Sequence, residues 1–103
     1  MSFVRVAGTG DVGEGVTLRV EVDGKAVCLV KRDGKVYAVD DVCTHEYAEM
    51  SEGFVEDHTI ECPRHGSQFD IRTGKVLSMP ATEDLPTFEV RVEGDDVLVD
   101  VGE

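Results

Sequence analysis

The chain has 103 residues, 22 of them acidic against 10 basic, for a formal net charge of −12. That length suits one domain with one core. The charge disfavours nucleic acid, whose phosphates call for Lys and Arg, and an anionic membrane surface as well. The longest apolar run, residues 26–30, is far too short to span a bilayer, and the opening MSFVRVAGTGD lacks the basic-then-apolar pattern of a secretory signal. The expectation is a cytoplasmic monomer with no nucleic-acid or membrane partner. Its acidity suits a basic protein partner found by electrostatic steering, and equally suits solubility alone.

Taken in order, the elements are short and alternating, which predicts an all-β chain. Residues 3–6 read as a first strand, and residues 8–15, with four glycines, as a loop. Residues 16–22 alternate Val16, Leu18, Val20 and Val22 with Thr17, Arg19 and Glu21. Asp23-Gly24 is a hairpin turn signal, because glycine accepts a positive φ, and residues 26–31 form the return strand. Cys28 sits inside this apolar stretch and reads as a small buried hydrophobe. Asp33-Gly34 turns the chain again into residues 36–39. Between Asp40 and Pro86 the alternation weakens, and glycine, proline and charge interrupt it. Short strands at 59–61 and 68–71 are expected there, with one helical turn within 46–53 and a turn at Thr73-Gly74-Lys75 before Val76 and Leu77. His58, after Glu56-Asp57, reads as a surface histidine. Regularity returns with Phe88, Val90 and Val92, a turn at Gly94, and a last strand over 97–101. The organisation is one domain over 1–103, with a β framework at about 1–40 and 82–103 and an irregular insert at about 41–81.

That insert holds Cys43-Thr44-His45 and, after residues 46–61, Cys62-Pro63-Arg64-His65. Five of the six cysteines and histidines in the chain fall between Cys43 and His65. Two Cys-His pairs in loop-like sequence give Cys43, His45, Cys62 and His65 as metal ligands. A long irregular stretch in a small domain needs a reason, and a metal centre supplies one. Tetrahedral zinc accepts two cysteines and two histidines, which would make the chain a zinc-stabilised interaction module. One cysteine and one histidine from each loop also suits a dinuclear iron–sulfur centre, two thiolates on one iron and two imidazoles on the other. Ligand order leaves both open.

The stretch C-T-H, then C-P-R-H-G-S-Q-F-D with Ile71-Arg72-Thr73-Gly74 behind it, resembles the C-x-H…C-x-x-H-G signature of Rieske proteins, and the soluble Rieske ferredoxins in particular. The resemblance runs through most of the chain. It implies a Rieske iron–sulfur fold, an antiparallel β-sandwich or barrel with an inserted cluster-binding subdomain. It implies one [2Fe–2S] cluster per chain, with Cys43 and Cys62 on the inner iron and His45 and His65 on the outer one. The function implied is electron carriage, not catalysis: electrons pass from a flavin-dependent ferredoxin reductase to a terminal oxygenase, such as an aromatic-ring dioxygenase of hydrocarbon catabolism. A small subunit of a nitrite reductase-like assembly is the alternative. Two imidazoles in place of two thiolates leave the oxidised centre neutral, which eases reduction and puts Rieske potentials at about −150 to +300 mV against about −400 mV for plant-type ferredoxins. High-potential respiratory members carry an extra cysteine in each loop and a tyrosine hydroxyl near the cluster. The matching positions here are Ala48, Arg64 and Phe69, while Ser67 is kept. With Glu46, Glu49 and Glu52 close by, a potential at the low end is expected. The resemblance also places Pro80 over the cluster.

Overall fold

In the computed structural model, residues 2–43, 48–64, 66–79, 81 and 83–102 are described. His45, His65, Glu46, Tyr47 and Pro80 lie outside them. Nine strands are present among the described residues: β1 (Val4–Gly8), β2 (Thr17–Val22), β3 (Lys25–Arg32), β4 (Lys35–Asp40), β5 (Phe54–Glu56), β6 (Thr59–Glu61), β7 (Gln68–Asp70), β8 (Thr87–Glu93) and β9 (Asp96–Asp100). The only helical pieces among the described residues are single 3₁₀ turns at Thr9–Asp11 and Met50–Glu52. The all-β expectation holds.

Six strands form one antiparallel sheet in the order β1-β9-β8-β4-β3-β2, and its two edges approach each other, so it is a nearly closed barrel. The turns are where the sequence puts them. Asp23 and Gly24 (φ 52° and 81°) and Asp33 and Gly34 (φ 54° and 77°) take the left-handed region that two-residue hairpins require. The other three strands form a second sheet, β5-β6-β7. The turn expected at Glu56-Asp57 is its first hairpin, on Asp57 at φ 52°; strand β5 leading into it was not expected. Val76, after the expected turn at Thr73-Gly74-Lys75, makes an isolated bridge to Phe69.

Strands β3 and β4 are the wall between two cores. Val27 and Leu29 of β3, with Val36 and Ala38 of β4, face the barrel interior beside Val22, Val97 and Val99. The alternate residues Cys28, Val30 and Val39 face the other way and join Cys43, Met50, Ile60, Cys62, Phe69, Ile71 and Leu85. Side chains alternate across a strand. A strand covered on both faces therefore reads as a continuous apolar run, which is why 26–30 loses the alternation seen in β2. Cys28 is fully buried, as expected, and burial pushes its thiol pKa up, with the Asp41 carboxylate adding to the effect.

His58 departs from expectation. It is half-buried, its ring edge-on to Tyr37 of β4 at 6.3 Å between centroids, with Nε2 3.5 Å from Asp33 Oδ2. Its carbonyl accepts the Ile71 amide at 2.9 Å. The β5–β6 turn thus docks the small sheet on the β3–β4 hairpin.

Candidate metal centre

Two loops leave the second core. The first begins at Asp41, just past β4. The Cys43 amide donates to the Ala48 carbonyl (3.0 Å), a bridge joins Val42 to Glu49, and the Met50 amide donates to the Asp41 carbonyl (2.6 Å). These contacts tie 41–43 to 48–50 and form the neck of the loop. The second loop follows β6. The Cys62 amide donates to the Ser67 carbonyl (2.8 Å) and the Gly66 amide to the Cys62 carbonyl (3.1 Å), with Gly66 at φ 78°. That left-handed φ is what a residue without a Cβ reaches freely, and it lets the chain reverse within a few residues of Cys62.

Both expected thiol ligands lie at the bases of these loops. Cys43 and Cys62 are 4% and 2% exposed, share one core cluster, and form no disulfide. The loops face each other: Ala48, Glu49 and Glu52 from the first and Pro63 and Arg64 from the second line one cavity of about 290 Å³. Ala48 and Arg64, where the disulfide-bearing relatives have cysteines, thus stand on either side of one opening. The two expected imidazole ligands, His45 and His65, fall outside the described residues. Among the described residues no three His, Cys, Asp or Glu gather as a metal site.

A third segment is tied to the second loop. Ser67 is fully buried, and its Oγ accepts the Ala81 amide at 3.0 Å. Ser78 Oγ accepts the Gln68 amide at 3.1 Å, and the Leu77 amide donates to the Gln68 carbonyl at 2.7 Å. Phe69 is fully buried in the core that holds both cysteines. Sequence reasoning missed Asp41, a buried carboxylate two residues before Cys43. Its Oδ1 accepts the Ser51 amide at 2.7 Å, and Oδ2 lies 3.2 Å from Arg19 Nε. Burial holds its pKa above the ordinary carboxylate range, against the pull of the Ser51 hydrogen bond. Nothing local in Asp40-Asp41 signals this, because the partners come from β2 and from the far side of the loop.

The donor set fits an iron–sulfur cluster. Two buried cysteines are presented from facing loops, each at the base of a backbone-hydrogen-bonded turn, as thiolate ligands of such a cluster require. Over residues 2–89 the chain matches the model of the Rieske [2Fe-2S] domain. It is 43% identical over 91 residues to the ferredoxin component of a naphthalene 1,2-dioxygenase system from Pseudomonas aeruginosa, covering 88% of each chain. The fold superposes on the ferredoxin of carbazole 1,9a-dioxygenase from Nocardioides aromaticivorans with a TM-score of 0.92, at 34% identity over 96% of this chain and 97% of that one. It also superposes on a chain of a complex between reduced oxygenase and oxidised ferredoxin of carbazole 1,9a-dioxygenase, with a TM-score of 0.89, at 36% identity over 94% of this chain and all of that one. No helix among the described residues is long and apolar enough to cross a membrane. A buried thiol pair on two facing loops, a barrel that superposes over nearly its whole length and a family match across 2–89 lead to one conclusion: the chain belongs to the Rieske [2Fe-2S] domain family and carries a [2Fe–2S] cluster.

Proposed function

We propose that this protein is the ferredoxin component of a ring-hydroxylating dioxygenase system, taking single electrons from a flavin-dependent reductase and giving them to a terminal oxygenase. The observation that carries this is the facing pair of buried cysteine loops on a fold shared, end to end, with ferredoxins of such systems. The cluster, when bound, supplies a site that takes up and releases one electron. Cys43 and Cys62 would hold one iron, and His45 and His65 the other. Residues at about 41–81 form the cluster-binding insert, and those at about 1–40 and 82–103 the framework. What the chain contributes around the cluster is exclusion and orientation. The β3–β4 wall, Met50, Ile60 and Phe69 keep water from the thiolates. Ser67 and Ser78 anchor the 77–81 segment against the second loop. The protein acts in the cytoplasm as a monomer, and its docking to each partner is brief, as a shuttle requires.

Iron and acid-labile sulfide analysis, with an EPR spectrum of the reduced protein, tests this reading. Two irons and two sulfides per chain and a Rieske-type spectrum lost in the His45→Ala/His65→Ala variant are expected. A preparation without sulfide, or a spectrum unchanged in that variant, refutes the ligand set. Co-elution with an oxygenase as a permanent complex would instead favour a fixed subunit.

A further inference from the structure

The outer face of β2 reaches the neck of the first ligand loop. Thr17, Arg19 and Glu21 share that face, since Leu18, Val20 and Val22 point into the barrel. Thr17 Oγ1 donates to the Ser51 carbonyl at 2.5 Å. Arg19 Nε lies 3.2 Å from Asp41 Oδ2 and 4.0 Å from Glu49 Oε1. Asp41 precedes the loop and Glu49 follows it, so one guanidinium bridges the entering and leaving chain. Asp41 is 1% exposed at its side chain, and its Oδ2 accepts no well-aligned hydrogen bond, which leaves Arg19 as the charge that compensates it among the described residues. Arg19 itself is 42% exposed, so it is no part of a dry core and contributes through where it reaches. A buried carboxylate left without its cation is costly, and that cost is relieved when the loop opens toward water or the carboxyl takes up a proton, either of which loosens the tie to Arg19.

We propose that Arg19, on β2 and distant in sequence from every ligand, is a positioning residue for the cluster: by clamping Asp41 and Glu49 it closes the neck of residues 43–48 and fixes where Cys43 is presented. This rests on the reading of Cys43 as a ligand given above. The clamp acts on the thiolate side of the centre, through the polypeptide. Groups that hold a metal ligand in place from outside the coordination sphere change metal affinity by about 10–100-fold when removed.

The test uses the holoprotein of wild type, Arg19→Gln, Arg19→Lys, Arg19→Gln/Asp41→Asn and Arg91→Gln. Arg91 is an exposed cation on β8 and controls for net charge. Cluster loss under a chelator is followed by visible absorption, and reduced samples are compared by EPR. Arg19→Gln is expected to lose its cluster roughly ten-fold faster than wild type and to shift the g-values. Arg19→Lys should recover part of both, and Arg19→Gln/Asp41→Asn should recover part as well, because the neutral amide no longer needs a cation. Arg91→Gln should match wild type. If Arg19→Gln folds by far-UV circular dichroism but does not load, Arg19→Lys and Arg19→Gln/Asp41→Asn decide: recovered loading in either supports the clamp, and failure of both to load overturns it. Arg19→Gln indistinguishable from wild type, or equal effects from Arg91→Gln, also overturn it. A wild-type protein without a Rieske spectrum would instead remove the ligand assignment itself.

Discussion

At the scale of single residues, the surroundings of the thiolates decide the potential. Phe69 fills the core beside Cys43 and Cys62 without a polar atom, where the high-potential relatives bring a hydroxyl. Wild type should therefore fall at the low end of the span of about −150 to +300 mV. Phe69→Tyr should move it upward, since a donor near cluster sulfur stabilises the reduced form. Protein-film voltammetry on both proteins checks this, and a wild-type value well above zero would contradict it. A second residue-level effect is acid sensitivity. The Arg72 side chain, donating to Asp70 at 2.9 and 3.0 Å, holds that carboxyl below its ordinary pKa. A carboxyl depressed in the folded state adds stability that is present above its unfolded pKa of about 3.9 and is lost as pH falls through the folded value. Urea denaturation should show Arg72→Gln less stable than wild type at pH 6, by a margin that closes as pH falls below about 4. A margin independent of pH would mean that the pair stabilises by packing alone.

At the scale of elements, the small sheet must be held against the large one for the two loops to face each other. The β5–β6 turn does part of this through His58, which meets Tyr37 and Asp33. His58→Ala should cost about 1 kcal/mol from the lost ring contact. That corresponds to about 4–8 °C in Tm for a domain of this size. Calorimetry of the holoprotein reads it directly, and an unchanged Tm would show that β6, β7 and the Met50 region suffice. This contact was invisible in the sequence, where Glu56-Asp57-His58 reads as a plain polar turn. The turn itself was legible, but not that it joins two strands: β5 is only Phe54–Glu56, too short to show alternation, and the left-handed residue is Asp57 rather than a glycine. The glycine turns at 24 and 34, by contrast, were legible because the residue type is itself the structural requirement.

At the scale of the whole molecule, a net charge of −12 sets up a long-range field. A basic partner would be drawn in by it, and salt would screen that attraction over a Debye length of about 8 Å at physiological ionic strength. Reduction of the protein by the reductase proposed above, followed by stopped-flow, should slow by about ten-fold between low and high salt. A rate unmoved by salt would leave the acidity a matter of solubility alone.

The sequence by itself determined the all-β class, the glycine turns and the two Cys-His loops, because each depends on residue type at short spacing. Alternation reveals a strand with one wet face, a left-handed turn calls for glycine, and a cluster calls for scarce ligands close together. Only the tertiary structure decided that β3 and β4 divide two cores, that Asp41 is buried, and that Arg19 and Thr17 of β2 reach the neck of the first loop. The contacts of Arg19 with Asp41 and of Thr17 with Ser51 join residues more than twenty positions apart, and which side chains burial encloses depends on the packing of whole strands, which no local pattern encodes.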